Sequence, residues 1–151
     1  EATYRVVTTP GEMMQRITTM PMRIGEWRDD PNRVWLVAVL GSVVIGEASL
    51  RRHQQERLSH VAQLGMSVAE SWQRRGIGTA LLTAAISWAR GRGGIRKVAL
   101  SVLAENSPAI SLYRKFGFVE EGRRAGHVQL GTGDYADDLV MGLQLPTGSP
   151  A

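Results

Sequence analysis

Cysteine is absent from the 151 residues, which excludes disulfide staples, thiolate metal sites and catalysis by a cysteine nucleophile. Also missing is any apolar run near the roughly 18 residues that span a bilayer, and the N-terminus carries no signal-like apolar core. A cytoplasmic chain with no membrane partner is expected, and the start at Glu1 points to processing or trimming. No repeat or low-complexity tract interrupts the chain. Only the closing "PTGSPA" reads as a flexible tail, so one domain over 1–145 and a tail over 146–151 are expected. A strong charge of one sign is lacking too: eighteen basic residues against fourteen acidic ones leave +4. That balance favours anionic partners such as phosphates but is too mild to require nucleic acid, and none is expected.

What is present suffices for a sizeable core, since 43% of the residues are hydrophobic. "TYRVVTT" reads as a strand, "PGEMMQRITTM" as a short helix opened by Pro10, and "EWRDDPNR" as a loop. "VWLVAVLGSVVIGEASLRR" reads as a hairpin turning near Gly41 and Ser42, and "LSHVAQLGMSV" as a further strand. From Ile77 to Ala89 apolar residues fall nearly all round a helix, which implies burial against a sheet, and Gly91, Gly93 and Gly94 end it. "RKVALSVLA" is a strand. In "ENSPAISLYRKFGF", Ser107 suits an N-cap, Pro108 the first helical position and Gly117 a left-handed stop, which places Asn106 at a strand-to-helix junction. "FVEEGRRAGHVQL", a turn at "GTGD" and "DDLVMGLQL" close the chain as a hairpin. The order β-α-β-β-β-α-β-α-β-β predicts an α/β fold, mainly antiparallel, with one parallel crossover in the middle.

The stretch "SWQRRGIGTALL" sets arginines and glycines at the mouth of the apolar helix. A nucleoside-triphosphate loop needs Gly-Lys-Ser/Thr, and Gly78 is followed by Thr79. A dinucleotide fingerprint needs a small residue where Leu81 stands, and an acidic residue ending the next strand, which is also missing. What survives both eliminations is the physics of a helix N-terminus. Free amides there carry about half a positive charge, and Gly76 and Gly78 let backbone approach an anion, so a diphosphate fits.

"QRRGIGTALL" resembles the Gln/Arg-x-x-Gly-x-Gly/Ala signature of the GNAT-superfamily N-acetyltransferases, and "ENSPAISLYRKFGF" resembles their second hallmark. The likeness is good over residues 43–145 and looser in the N-terminal third. It implies a twisted mixed sheet flanked by helices, with acetyl-CoA as co-substrate and no metal required. By the same resemblance the strand "HVAQLGMSV" splays from "VALSVLA", leaving a gap where pantetheine pairs with the backbone of Val68 as an added strand. The amide of Met66 holds the oxyanion. Gln73, Arg74, Arg75, Gly76, Ile77, Gly78 and Thr79 wrap the pyrophosphate, Asn106 contacts the pantetheine arm, and Tyr113 protonates the departing thiolate.

Two family patterns are not met, because Ala62 and Ser101 stand where some members carry a glutamate. The general base is therefore sought elsewhere, with His60, in phase with Ala62, and Glu47 on the preceding strand as candidates. The stretches "RLSHVAQLGMSV" and "GDYADDLVMGLQL" resemble bacterial members that acetylate small amines or amino acids, which names a small-molecule amine as the partner; a homodimer is a further expectation. Peptide or ribosomal-protein N-terminal acetylation is the enzyme alternative, and a non-catalytic acyl-CoA sensor the alternative from another class. Asp134, Asp137 and Asp138 form an acidic cluster that could draw in a cationic acceptor, or be a solvated turn. Trp27, Trp35, Trp72 and Trp88 are given no role.

Overall fold

Alternating apolar and polar residues build a sheet whose two faces differ. The structure, a computed structural model, describes residues 20–146, with side chains from residue 30 onward. The expected strand at "TYRVVTT" and helix at "PGEMMQRITTM" lie outside the described residues, except Met20, which opens the first described strand. The strands are β1 (Met20–Asp30), β2 (Arg33–Gly41), β3 (Val43–Arg52), β4 (Val61–Val68), β5 (Lys97–Leu103), β6 (Val119–Gln129) and β7 (Tyr135–Gln144). Two helices interrupt them, α1 (Ile77–Arg90) and α2 (Ser107–Lys115). The seven strands form one sheet in the order β1-β2-β3-β4-β5-β7-β6. Only β4 and β5 pair in parallel, joined by the crossover helix α1, so the expected α/β, mainly antiparallel architecture is the one observed.

The reading of "EWRDDPNR" as a loop is corrected. Glu26 and Trp27 pair with Leu36 and Trp35, and Asp30 pairs with Arg33 across a two-residue turn at Pro31 and Asn32. Charged residues crowd this stretch because β1 is the edge strand among those described, where charge discourages pairing with other chains. The turn at Gly41 and Ser42 falls where expected, with Gly41 at φ +59°.

One face of the sheet carries the core. Ala48 and Leu50 on β3, Ala62 and Leu64 on β4, Val98, Leu100 and Val102 on β5, and Leu139, Met141 and Leu143 on β7 pack in a single cluster with Leu81, Leu82, Ala85 and Ala89 of α1 and with Ile110 and Tyr113 of α2. Burying these side chains is the main stabilising term, at about 25 cal/mol per Å² of apolar surface removed from water. The alternate strand residues, among them Glu47, Ser49, Arg51, Gln63 and Ser67, point to the other face, which neither α1 nor α2 covers.

At α2 the cap assignment shifts by one residue. Asn106 is the N-cap, its carbonyl accepting from Ile110 N–H, and Pro108 follows Ser107 within the first turn. The stop at Gly117 is as expected. With φ at +98°, Gly117 donates to the Arg114 carbonyl and Phe118 to that of Tyr113, while the Tyr113 and Phe118 rings pack 5.7 Å apart.

Candidate active site

The parallel pairing of β4 with β5 stops early. It runs from Val61/Lys97 to Leu64/Leu100, yet β4 continues to Val68 and β5 to Leu103. Odd-numbered residues of β4 bond to β3, as the Ala69 N–H to Ile45 carbonyl bond of 2.8 Å continues to show beyond the strand end. By strand alternation the N–H and C=O of Met66 and Val68 therefore face β5, and there they meet a gap instead of a strand. This is the expected splay. The Val68 carbonyl is bonded from the Gln73 side-chain amide at 3.2 Å, which leaves the amide N–H of Val68 as the group turned to the gap.

Around the gap lies a cleft of about 970 Å³. One end reaches the start of α1, where Gln73, Arg74, Gly76, Gly78 and Thr79 line it. The chain turns into the helix through two left-handed residues, Arg74 at φ +63° and Gly76 at φ +82°. A non-glycine residue held there is uncommon, and such outliers collect at binding loops. Gly76 places no side chain over the helix end and no acidic residue occupies the first turn. The unbonded amides of that turn, with the positive end of the helix dipole, thus point donors at the cleft that can hold an anion. Gly78 serves a different need: a Cβ there would meet Leu112 Cδ2 at 3.0 Å, so it lets α1 and α2 approach closely.

From the α2 side come Asn106, Pro108, Ala109, Leu112 and Tyr113. The Asn106 side chain makes no capping bond and lines the cleft. Tyr113 is 5% exposed, and burial pushes its phenol up from the ordinary value to about 12, so it stays protonated across the physiological range. Arg75 and Ile77 are not among the lining residues. Arg75 lies over the Trp72 ring at 4.9 Å, and Ile77 is buried in the core.

The face without helices supplies the other half of the cleft, through Glu47, Ser49, Arg51, Gln63, Ser67 and Asp138. Glu47 is buried, and its carboxylate accepts a hydrogen bond of 2.8 Å from the Trp35 indole. His60 does not join it. His60 is exposed just before β4 begins, where its carbonyl accepts from the Arg96 and Lys97 amides. Six residues of strand, ~20 Å, separate it from Met66. Phase with Ala62 carries no information about distance along the strand, and His60 lies in the turn before it.

The acidic cluster divides. Asp134 bonds Thr132 in the turn, and Asp137 accepts from the Gly126 amide and from Arg123, which together hold its carboxyl below the usual range. Neither lines the cleft. Asp138 does, buried and paired in bidentate fashion with Arg124, whose hydrogen bond keeps it ionised well below the ordinary carboxylate range. Arg124 also donates to Ser101 Oγ at 3.0 Å, tying β6 to β5. The parts that sequence reasoning missed are Trp35, Arg51, Ser67 and Arg124. Each acts across strands, so no local spacing announces it.

Residues 3–118 match the model of the acetyltransferase (GNAT) family. The chain is 34% identical over 113 residues to the L-amino acid N-acetyltransferase AaaT of Escherichia coli K12, an alignment covering 75% of this chain and 69% of that protein. Over 91 residues it is 26% identical to the ribosomal protein uS5 alanine N-acetyltransferase of the same organism, covering 60% of this chain and 46% of that one. Among solved structures, a GNAT-family acetyltransferase from Streptococcus pneumoniae superposes with a TM-score of 0.72 at 30% identity, covering 78% of this chain and 70% of the other.

Proposed function

We propose, because the chain belongs to the acetyltransferase (GNAT) family, that the amine it acetylates is a free amino acid or another small primary amine. The chain is an N-acetyltransferase with acetyl-CoA as its co-substrate. One observation carries the acceptor class: a carboxylate and an unpaired guanidinium line the same cleft from one strand. Glu47 and Arg51 are four residues apart on β3, ~13 Å between backbones, a span that the long arginine side chain shortens. Arg51 has no ion pair among the described residues. An amino acid presents an amine to one and a carboxylate to the other. The 34% identity with an L-amino acid N-acetyltransferase supports the same reading.

Acetyl-CoA, when bound, would supply a thioester whose acetyl group passes from sulfur to nitrogen, a C–S bond being exchanged for a C–N bond; for a neutral amine the proton shed by nitrogen is balanced by the one taken up by the departing thiolate, with no net proton released. The first-turn amides of α1, with Gln73, Arg74, Gly76, Gly78 and Thr79 around them, hold its pyrophosphate. The Val68 amide and the Asn106 side chain align the arm between them, and the Met66 amide stabilises the developing oxyanion. Glu47 takes the proton that the acceptor nitrogen sheds. Tyr113, which burial keeps protonated, gives its proton to the leaving sulfur, and such transfers contribute about 10² to 10⁴ in rate. A turnover screen tests this reading, with free L-amino acids and simple amines in one panel and short peptides in the other. Turnover confined to the peptides would assign the enzyme to N-terminal acetylation instead.

A further inference from the structure

Three polar or charged side chains are buried among the described residues, Glu47, Ser67 and Asp138, and all three line the one cleft. Two of them have evident partners, Glu47 in Trp35 and Asp138 in Arg124. Ser67, 5% exposed, has a hydroxyl with no hydrogen-bond partner. A buried hydroxyl left unpaired is destabilising, and native structures keep few of them. Alanine would occupy the same strand position without an orphan oxygen, so packing does not account for the serine.

The position of Ser67 does account for it. Ser67 pairs with Glu47 across β3 and β4, so the two side chains stand on the same face with backbones ~5.5 Å apart, and no hydrogen bond joins them. On either side of Ser67 in the chain, the amides of Met66 and Val68 turn into the gap. We propose that Ser67 Oγ positions the acceptor, accepting a hydrogen bond from the primary amine while Glu47 accepts another across the strand pair. A neutral primary amine has two N–H groups and one lone pair. With both N–H groups engaged on the uncovered face, the lone pair is the one direction left, and it points to the gap. Oγ is itself shielded in the present rotamer, so contact with the acceptor requires a turn about χ1 to another staggered position.

The inference rests on the N-acetyltransferase reading and holds whether the amine belongs to an amino acid or a peptide. Its test compares Ser67→Ala, which removes only the oxygen, with Ser67→Thr and Ser67→Val, which share a shape and differ by a hydroxyl. The probes are a panel of free L-amino acids and a panel of alanine-first tripeptides, each with acetyl-CoA. Ser67→Ala is expected to raise the acceptor KM roughly tenfold, to leave the acetyl-CoA Kd within about twofold, and to melt no lower than the unsubstituted protein. Ser67→Thr is expected to retain the KM that Ser67→Val loses. Unchanged acceptor KM in Ser67→Ala overturns the proposal, and so does a lowered Tm without a KM effect, which makes the serine structural. If only tripeptides turn over, the amino-acid reading falls while the same comparison on the tripeptide still decides Ser67. No turnover of either panel overturns both.

Discussion

The two halves of the cleft are made of different material. The half beside α1 is built from backbone: amides of Met66 and Val68 without a strand to pair with, a left-handed turn at Gly76, and the open first turn of a helix. The half on the uncovered face is built from side chains, Glu47, Arg51, Ser67 and Asp138, drawn from three strands. Backbone groups are the same in every sequence, so the first half can serve any acceptor chemistry. Side chains are not, so on the proposed function the second half would set acceptor specificity. Substitutions on the uncovered face should therefore change acceptor kinetics with acetyl-CoA binding intact, and those at the helix mouth the reverse.

The largest expected effect lies on the side-chain half. Glu47→Gln removes the proposed proton acceptor and keeps the Trp35 contact, so kcat should fall about 10²-fold or more while acetyl-CoA affinity by calorimetry stays constant. A parallel loss of coenzyme affinity would break the division. Next is Tyr113→Phe, expected to slow turnover at least about tenfold with coenzyme binding preserved. An unaltered turnover number would leave Tyr113 as core packing against Phe118.

The same tyrosine gives a stability signature. Its phenol is raised to about 12 in the folded chain against about 10 when unfolded. Stability is thus complete below pH 10 and lost as pH rises toward 12, where the unfolded chain ionises first, by roughly 2 to 3 kcal/mol. Tyr113→Phe should flatten that part of the Tm profile, and identical profiles above pH 10 would count against a buried phenol.

On the backbone half, Gly78→Ala should weaken acetyl-CoA binding several-fold as Leu112 gives way, and Gly78→Asp should weaken it further by setting a carboxylate beside the helix amides. Acceptor KM should change little in either variant. Equal affinities for the two would show that space alone matters there. The smallest effect is expected at Asp137→Asn. Asp137 is bonded to Gly126 and Arg123 outside the cleft, so acceptor KM and its salt dependence should match those of the unsubstituted chain. A raised KM that salt no longer modulates would return the acidic turn to a role in recognition.

Much of the backbone half was legible in the sequence because local rules govern it. Glycine spacing before an apolar helix, a run of strand residues ending at Val68, and the cap-proline-glycine punctuation of "NSPAISLYRKFG" all act within a few residues of one another. Local rules misread Glu26–Asp30 as part of a loop, though the turn is confined to Pro31 and Asn32 and an edge strand accommodates the charged residues before it at no cost to the core. They also offered His60, in phase with Ala62, as a candidate base, whereas it stands just before β4 at the end away from Met66.

By itself the sequence determined that a helix with an uncapped, glycine-opened start would follow a strand, and that a second helix would open at Ser107 and Pro108, one residue beyond the observed cap Asn106, because caps, turns and periodicity are properties of neighbouring residues. Only the tertiary structure decided that pairing of β4 with β5 ends at Leu64, that Trp35 bonds Glu47, that Arg124 holds Asp138 ionised and that Ser67 has no partner. These are relations between residues on different strands. Register and sheet order set them, and both are fixed by packing across the whole sheet, which no short stretch of sequence contains.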